Sequence, residues 1–280
     1  MTLPEKITVI GAGLLGASLG EGLLRRGLVR EVVGYGRSRA NLEVALRRGC
    51  LTEIADDLVA AVRDVSLVVV CTPVGKIVEL VHQCVATGSR GTVFTDVGST
   101  KEEIVAALRD LPKGNVFVGG HPIAGKEVTG AAAADGDLFV GRPVVLTPTE
   151  TTPQEALAVV RALWEGVESE VVCLSAEEHD AILAKTSHLP HLLSCALSAV
   201  TPPSLDALAG TGFASMTRLA RGSEEIWRDI LIQNRQHVLS ALELLTGKLQ
   251  ELRQTLSDGD VAGLEAFLHL AKKNRDALGN

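Results

Sequence analysis

Short apolar runs recur along the first two-thirds of the chain, at residues 7–10, 32–35, 67–71, 93–97, 116–118, 144–146 and 171–174. Most are near-continuous Val, Ile and Leu, the pattern of strands buried on both faces of a parallel sheet. Helix-length segments, such as 15–26 and 77–85, separate the early runs. Strand and helix alternating in this way predict a doubly wound α/β domain with a mostly parallel sheet. After Leu174 no further strand pattern follows. Ser175 and Glu178 form a capping-box pair that opens a helical segment. Leu242, Leu245, Leu249, Leu252 and Leu256 recur at spacings of three and four, which draws an apolar stripe along one helix. Asp258-Gly259-Asp260 breaks that helix, and a last one runs to about Leu278.

Composition adds limits. In 280 residues, 46% are hydrophobic and 22% charged, as in ordinary globular proteins with a core. A formal charge of −7 argues against a nucleic-acid partner. The five cysteines are widely spaced and include no CxxC pair, so reduced thiols are expected rather than disulfides or zinc. No leader pattern and no membrane-length apolar stretch is read, which makes a cytoplasmic protein the expectation.

The first apolar run leads into Gly11-Ala12-Gly13-Leu14-Leu15-Gly16, a GxGxxG that opens a helix. In that setting it is a dinucleotide-binding turn. Gly11 makes the tight turn, Gly13 admits the pyrophosphate, and Gly16 lets helix and strand pack closely. The chain thus divides into a Rossmann-type domain at 1–173 and a helical domain at 174–280. At the end of the second strand an NAD site usually carries an acid for the ribose. Here Arg37, Ser38 and Arg39 stand instead, a set suited to a 2′-phosphate, so NADP is favoured over NAD. Cys71, Thr72 and Pro73 end a strand at the carboxyl edge, where they line the cofactor or, for Pro73, simply stop the strand.

Three polar segments remain: Thr95-Asp-Val-Gly-Ser99-Thr-Lys101, Gly119-Gly-His121-Pro-Ile-Ala-Gly-Lys126-Glu127, and Ser187-His188-Leu-Pro-His191. Each has two readings. Ser99 is a catalytic hydroxyl or a helix N-cap for a helix with Glu102 in its first turn. His121 is a catalytic group or a turn residue in a Gly/Pro-rich loop. His188 and His191 line a site or form a core pair beside a helix-kinking Pro190. No third ligand suggests a metal.

Together these segments resemble the prephenate/arogenate dehydrogenase family of tyrosine biosynthesis. The resemblance spans nearly the whole chain and includes Leu146-Thr-Pro-Thr149, Gly212-Phe213-Ala-Ser-Met-Thr217-Arg218 and Trp227-Arg-Asp-Ile230. It implies oxidative decarboxylation of a cyclohexadienyl acid, prephenate or arogenate, with hydride passing to NAD(P). It implies that His121 is the base, that Ser99 bridges it to the substrate hydroxyl, and that Arg218 binds a carboxylate. His188 and His191 would line the pocket. Trp227 would stand near the pocket or pack in the core, Glu127 would belong to the polar network at the mouth, and Gly212 and Phe213 would carry the Arg218 loop.

Two positions depart from the family pattern: Lys126, where Thr or Ser is usual, and Ser215, where Asp is usual. Both make the mouth less negative. Lys126 is either a second anionic anchor, favouring prephenate, or a solvent-facing charge. The competing readings are another hydroxyacid dehydrogenase, which would want a lysine base, and a non-catalytic dinucleotide-binding sensor. A homodimer through the helical domain is expected.

Overall fold

A computed structural model describes residues 3–126 and 128–279. Eight strands form one sheet: β1 (Lys6–Ile10), β2 (Glu31–Tyr35), β3 (Glu53–Ile54), β4 (Leu67–Val70), β5 (Val93–Asp96), β6 (Val116–Pro122), β7 (Pro143–Thr147) and β8 (Glu170–Cys173). Their order is β3-β2-β1-β4-β5-β6-β7-β8, parallel except for the antiparallel β6–β7 pair. The strand order reverses between β1 and β4, which opens the crevice where doubly wound sheets bind ligands.

Helices α1 (Leu14–Arg25), α2 (Arg39–Arg47), α3 (Leu58–Val62), α4 (Val74–Ala86), α5 (Glu102–Leu108) and α6 (Gln154–Gly166) connect the strands. Successive side chains on a strand face opposite sides of the sheet. In β4, Leu67 and Val69 therefore join one core with Leu19, Leu163 and Trp164, while Val68 and Val70 join the other with Ile77, Val81 and Leu108. Both faces are buried, which is why the strands read as continuous apolar runs.

All described residues after Cys173 that form regular structure are helical: α7 (Ala176–Leu183), α8 (Leu189–Val200), α9 (Thr211–Thr217), α10 (Glu224–Gln233), α11 (Arg235–Ser257) and α12 (Val261–Ala277), with short tight turns between. The capping box of Ser175 and Glu178 opens α7 as expected. A wide π turn, Ala184–His188, joins α7 to α8, and Pro190 is the second residue of α8. The backbone stays helical from α7 through this turn into α8, so Pro190 lies inside one continuous helical run, directly after the π turn. Ile230 of α10 is 4% exposed and completes the apolar core around α4. That contact ties the helical region to the sheet region.

Two sequence expectations are revised. The two-residue strand β3 adds to the seven runs read from the pattern. More consequentially, β6 runs through Gly119 and Gly120 to Pro122, so His121 lies in a strand opposite Val145 and not in a loop.

Candidate active site

The glycine turn after β1 is built for close approach. Gly11 has φ +95°, and a Cβ there would sit 2.6 Å from the Cys71 carbonyl oxygen. A Cβ on Gly16 would stand 2.3 Å from the Gly11 oxygen. At Gly13, by contrast, a Cβ would meet nothing within 4 Å. Open space therefore lies before Gly13, at the N-terminus of α1, where backbone N–H groups and the helix dipole favour an anion. Leu14 and Leu15 begin that helix. The Thr72 hydroxyl, beside the turn, is buried and has no hydrogen-bond partner among the described residues. Pro73 stands at the N-cap of α4, three residues past the end of β4 at Val70. An open glycine cradle and an orphaned hydroxyl fit a dinucleotide.

At the end of β2, Arg37 is exposed and Ser38 caps α2 by accepting from the Asn41 N–H at 3.3 Å. Arg39 pairs with Glu43 at 3.5 Å and Asp56 at 3.4 Å on the surface. Asn41 accepts from the Ala131 N–H at 2.9 Å and donates to the Ala12 carbonyl, which ties the glycine turn to the segment after β6.

His121 is 9% exposed and sits at the carboxyl edge of the parallel strands. The two glycines before it are required by packing. A Cβ on Gly119 would lie 2.4 Å from the Thr147 hydroxyl, and one on Gly120 would lie 2.8 Å from the Asp96 carbonyl oxygen. Asp96 accepts from the Gly120 N–H at 2.9 Å and the Gly98 N–H at 2.8 Å, and is ion-paired with the fully buried Lys101. One carboxylate thus ties the Ser99 loop to the histidine strand. Ser99 itself is half-buried and makes no hydrogen bond among the described residues, while its neighbour Thr100 donates to Gln233 at 2.6 Å. Ser99 is not a helix cap: α5 begins at Glu102, and Asp180 caps it from a distance by accepting from the Lys101 N–H (2.8 Å) and Glu102 N–H (2.9 Å).

Behind His121 stands a residue that the sequence reading passed over. His179 Nε2 lies 2.8 Å from His121 Nδ1, and His179 Nδ1 lies 2.7 Å from Asp180 Oδ1. His179 is completely buried and Asp180 is 1% exposed. Burial holds the His121 imidazole well below its ordinary pKa of 6.5, and the neighbouring His179, Lys101 and His188 push the same way. His121 is therefore neutral at physiological pH and able to accept a proton.

His188 is also buried, its pKa lowered to about 4 chiefly by burial, with Nδ1 3.0 Å from the Asn234 amide. His191 stacks on Trp227, ring centroids 3.6 Å apart and planes 8° from parallel. Its Nδ1 is buried without a hydrogen-bond partner among the described residues. Trp227 also packs against the apolar cluster around α4, which is the core-packing reading. Gly212 and Phe213 lie in α9, and Arg218 follows it on the surface in a short turn that packs on α8. Lys126 is half exposed and ion-paired with Asp135 at 2.9 Å, so its charge is already countered. Glu127 lies outside the described residues. No cluster of metal-ligating side chains occurs among the described residues.

Residues 19–173 match the family model for the prephenate dehydrogenase nucleotide-binding domain, and residues 175–270 match that for the prephenate dehydrogenase dimerization domain. The prephenate dehydrogenase of Bacillus subtilis (strain 168) is 30% identical over 99% of this chain and 76% of its own length. The structure of Synechocystis arogenate dehydrogenase superposes with a TM-score of 0.84 at 31% identity, covering 98% of this chain and 99% of that one. Prephenate dehydrogenase from Aquifex aeolicus, solved with hydroxyphenyl propionate and NAD+, gives a TM-score of 0.89 at 29% identity over 98% of both chains. With both family models matched across most of its length, the chain belongs to the prephenate dehydrogenase family.

Proposed function

We propose that the protein is a prephenate dehydrogenase, catalysing the NAD(P)-dependent oxidative decarboxylation of prephenate to 4-hydroxyphenylpyruvate. The observation that carries the assignment is a buried, neutral His121 at the carboxyl edge of the sheet, in the crevice that the open Gly13 turn also faces. A lysine base, as another hydroxyacid dehydrogenase would need, does not fit: Lys101, the buried lysine, is tied to Asp96.

In this reading His121 takes the proton of the substrate 4-hydroxyl while hydride leaves C4. The bound nicotinamide supplies the hydride acceptor. The C–H electron pair departs with the hydride and a C4 carbonyl forms. The ring carboxylate is now vinylogous to a ketone, so its C–C bond breaks, carbon dioxide leaves, and the electron pair flows through the ring to the oxygen. The phenolate that results recovers the proton held by His121. The protein returns to its starting state, and aromatisation makes the sequence irreversible.

Ser99 bridges His121 and the hydroxyl, for which its free, half-buried Oγ is suited. Arg218 holds a substrate carboxylate, and His188, His191 and Trp227 form the pocket wall, with the unpartnered His191 Nδ1 as a polar contact. Gly212 and Phe213 belong to the segment that carries Arg218, and Glu127 to the pocket mouth. Arg37, Ser38 and Arg39 favour NADP over NAD, with Cys71, Thr72 and Pro73 beside the nicotinamide half. Residues 1–173 form the dinucleotide domain, and residues 174–280 the substrate and dimerisation domain. The test is reduced-nicotinamide formation with prephenate and arogenate, each with NAD+ and NADP+. Turnover fastest with prephenate supports the assignment, and faster turnover with arogenate transfers it to that substrate. No turnover by folded protein in any pairing overturns it in favour of a sensor.

A further inference from the structure

The hydrogen bonds behind His121 have a direction, and it can be read from their far end. Asp180 accepts from two backbone N–H groups at the start of α5. Burial raises its pKa, but the bonds from His179 and from the Glu102 and Lys101 N–H groups outweigh that and hold the carboxyl below its ordinary value. The carboxylate is thus ionised and has no proton to give. Its 2.7 Å contact with His179 Nδ1 therefore requires N–H on that nitrogen. If Nδ1 carries the single ring proton of His179, its Nε2 presents a lone pair 2.8 Å from His121 Nδ1, and the proton in that second contact sits on His121 Nδ1. His121 Nε2 is left as a bare lone pair, the form a base requires.

We propose that His179 and Asp180 are positioning residues that fix the tautomer of His121, keeping Nε2 unprotonated toward the substrate hydroxyl. The proposal rests on the reading of His121 as the base. Neither residue touches substrate; they act through His121. When His121 takes the hydroxyl proton at Nε2, its Nδ1–H stays bonded to His179, and the Asp180 charge stabilises the cation along the chain. The other charged and titratable groups around the histidines are accounted for. Lys101 is paired with Asp96 from the β5–α5 segment, His188 is held neutral on the α7–α8 side, and Glu102 is paired with His237 of α11 at the surface.

The competing arrangement is a doubly protonated His179. It would donate from both nitrogens, force His121 Nδ1 to accept, and place the remaining proton on Nε2. Two-bond 15N–1H correlation spectra of 15N-histidine-labelled protein separate the two. The His121 resonance is assigned by its loss in His121→Asn. Expected is a neutral His121 protonated at Nδ1; an Nε2–H tautomer overturns the proposal.

Asp180→Asn gives the second readout. With its amide oxygen kept on the Glu102 N–H, its NH2 group takes the Oδ1 position, where it faces His179 Nδ1 and gives up the bond from the Lys101 N–H. Each proton in the chain then reverses and His121 becomes Nε2–H. The expected result is that tautomer in the spectrum and a fall in kcat on the order of 10²–10⁴-fold, with KM and NADP+ affinity within about threefold. His179→Gln, which retains an acceptor, should lose less kcat than His179→Leu. Should Asp180→Asn fail to fold, the wild-type spectrum and this pair of variants decide. An inactive His121→Asn beside a fully active Asp180→Asn defeats the tautomer proposal alone. An active His121→Asn defeats the base assignment and this proposal with it.

Discussion

His121 needs to be neutral to act and cationic for an instant during the reaction. Burial supplies the first condition and the His179–Asp180 chain answers the second. The consequence is a pH dependence whose sign can be worked out. A base works in its unprotonated form, and the His121 pKa is pushed well below 6.5, chiefly by burial. Activity should thus be flat through pH 6.5 and fall only as pH drops through the lowered value. The check is the pH profile of kcat/KM in wild type; an acid limb centred at or above 6.5 would remove His121 from the role. Lys126 carries a separate prediction. Its ammonium is already answered by Asp135 at 2.9 Å, in a pair about two-fifths exposed at each end. Such exposed pairs contribute little. Lys126→Thr should leave the ratio of kcat/KM for prephenate and arogenate within about twofold. A selective rise in the prephenate KM would instead make Lys126 a second anchor for the side-chain carboxylate.

Among the elements, β6 shows best why the site could be read only in part from sequence. The Gly119-Gly120-His121 triplet has the look of a turn, because glycine and proline punctuate loops. In the fold the glycines serve close packing: Thr147 and Asp96 stand where their Cβ atoms would be, and β7 pairs with the strand as far as Pro122. Gly120→Ala would set a methyl 2.8 Å from the Asp96 carbonyl oxygen and press on the loop that carries Ser99. It should lower kcat at least tenfold or so, since ångström displacements in a catalytic site cost up to about 10². NADP+ affinity should hardly change, because the Gly11 turn is built from other strands. Steady-state kinetics together with nucleotide titration check this, and wild-type kcat in the variant would show that the strand tolerates the shift.

The dinucleotide turn was legible because its meaning is local: strand, GxGxxG and helix adjoin in sequence. The histidine pair was not, because 58 residues separate its members and only the tertiary fold brings them together. A clue did exist in the adjacent His179-Asp180 within a short helix, where a buried charge needs partners. The capping role of Asp180 was hidden for the same reason: a cap is expected next to its helix, and this one comes from 78 residues away. β3, with two residues, is too short to leave a periodic trace.

For the molecule as a whole, the helical region is unfinished as a single chain. The leucine stripe of α11 stays largely uncovered. Only Val238 and Ala241 of that helix are buried, while Leu242, Leu249 and Leu256 are 37%, 53% and 59% exposed. Helix α12 has no buried residue, and Val261, Leu268 and Leu270 are each more than half exposed. Isolated exposed leucines are ordinary, but a row of them along paired long helices marks an interaction surface. Residues 175–270 match the family model of a dimerization domain, so the occupant we propose is a second copy of the chain. A stable dimer commonly buries about 1,200–2,000 Å² in total, which two long helices from each subunit can provide. Leu249→Asp combined with Leu256→Asp would place two carboxylates in that contact, where unpaired charge is costly. The expected outcome in sedimentation velocity is a shift from dimer to monomer, with the far-ultraviolet circular dichroism of the sheet region retained. A variant that still sediments as a dimer would place the contact on another face of the helical region. A wild type that sediments as a monomer would leave the stripe without the partner its exposure calls for.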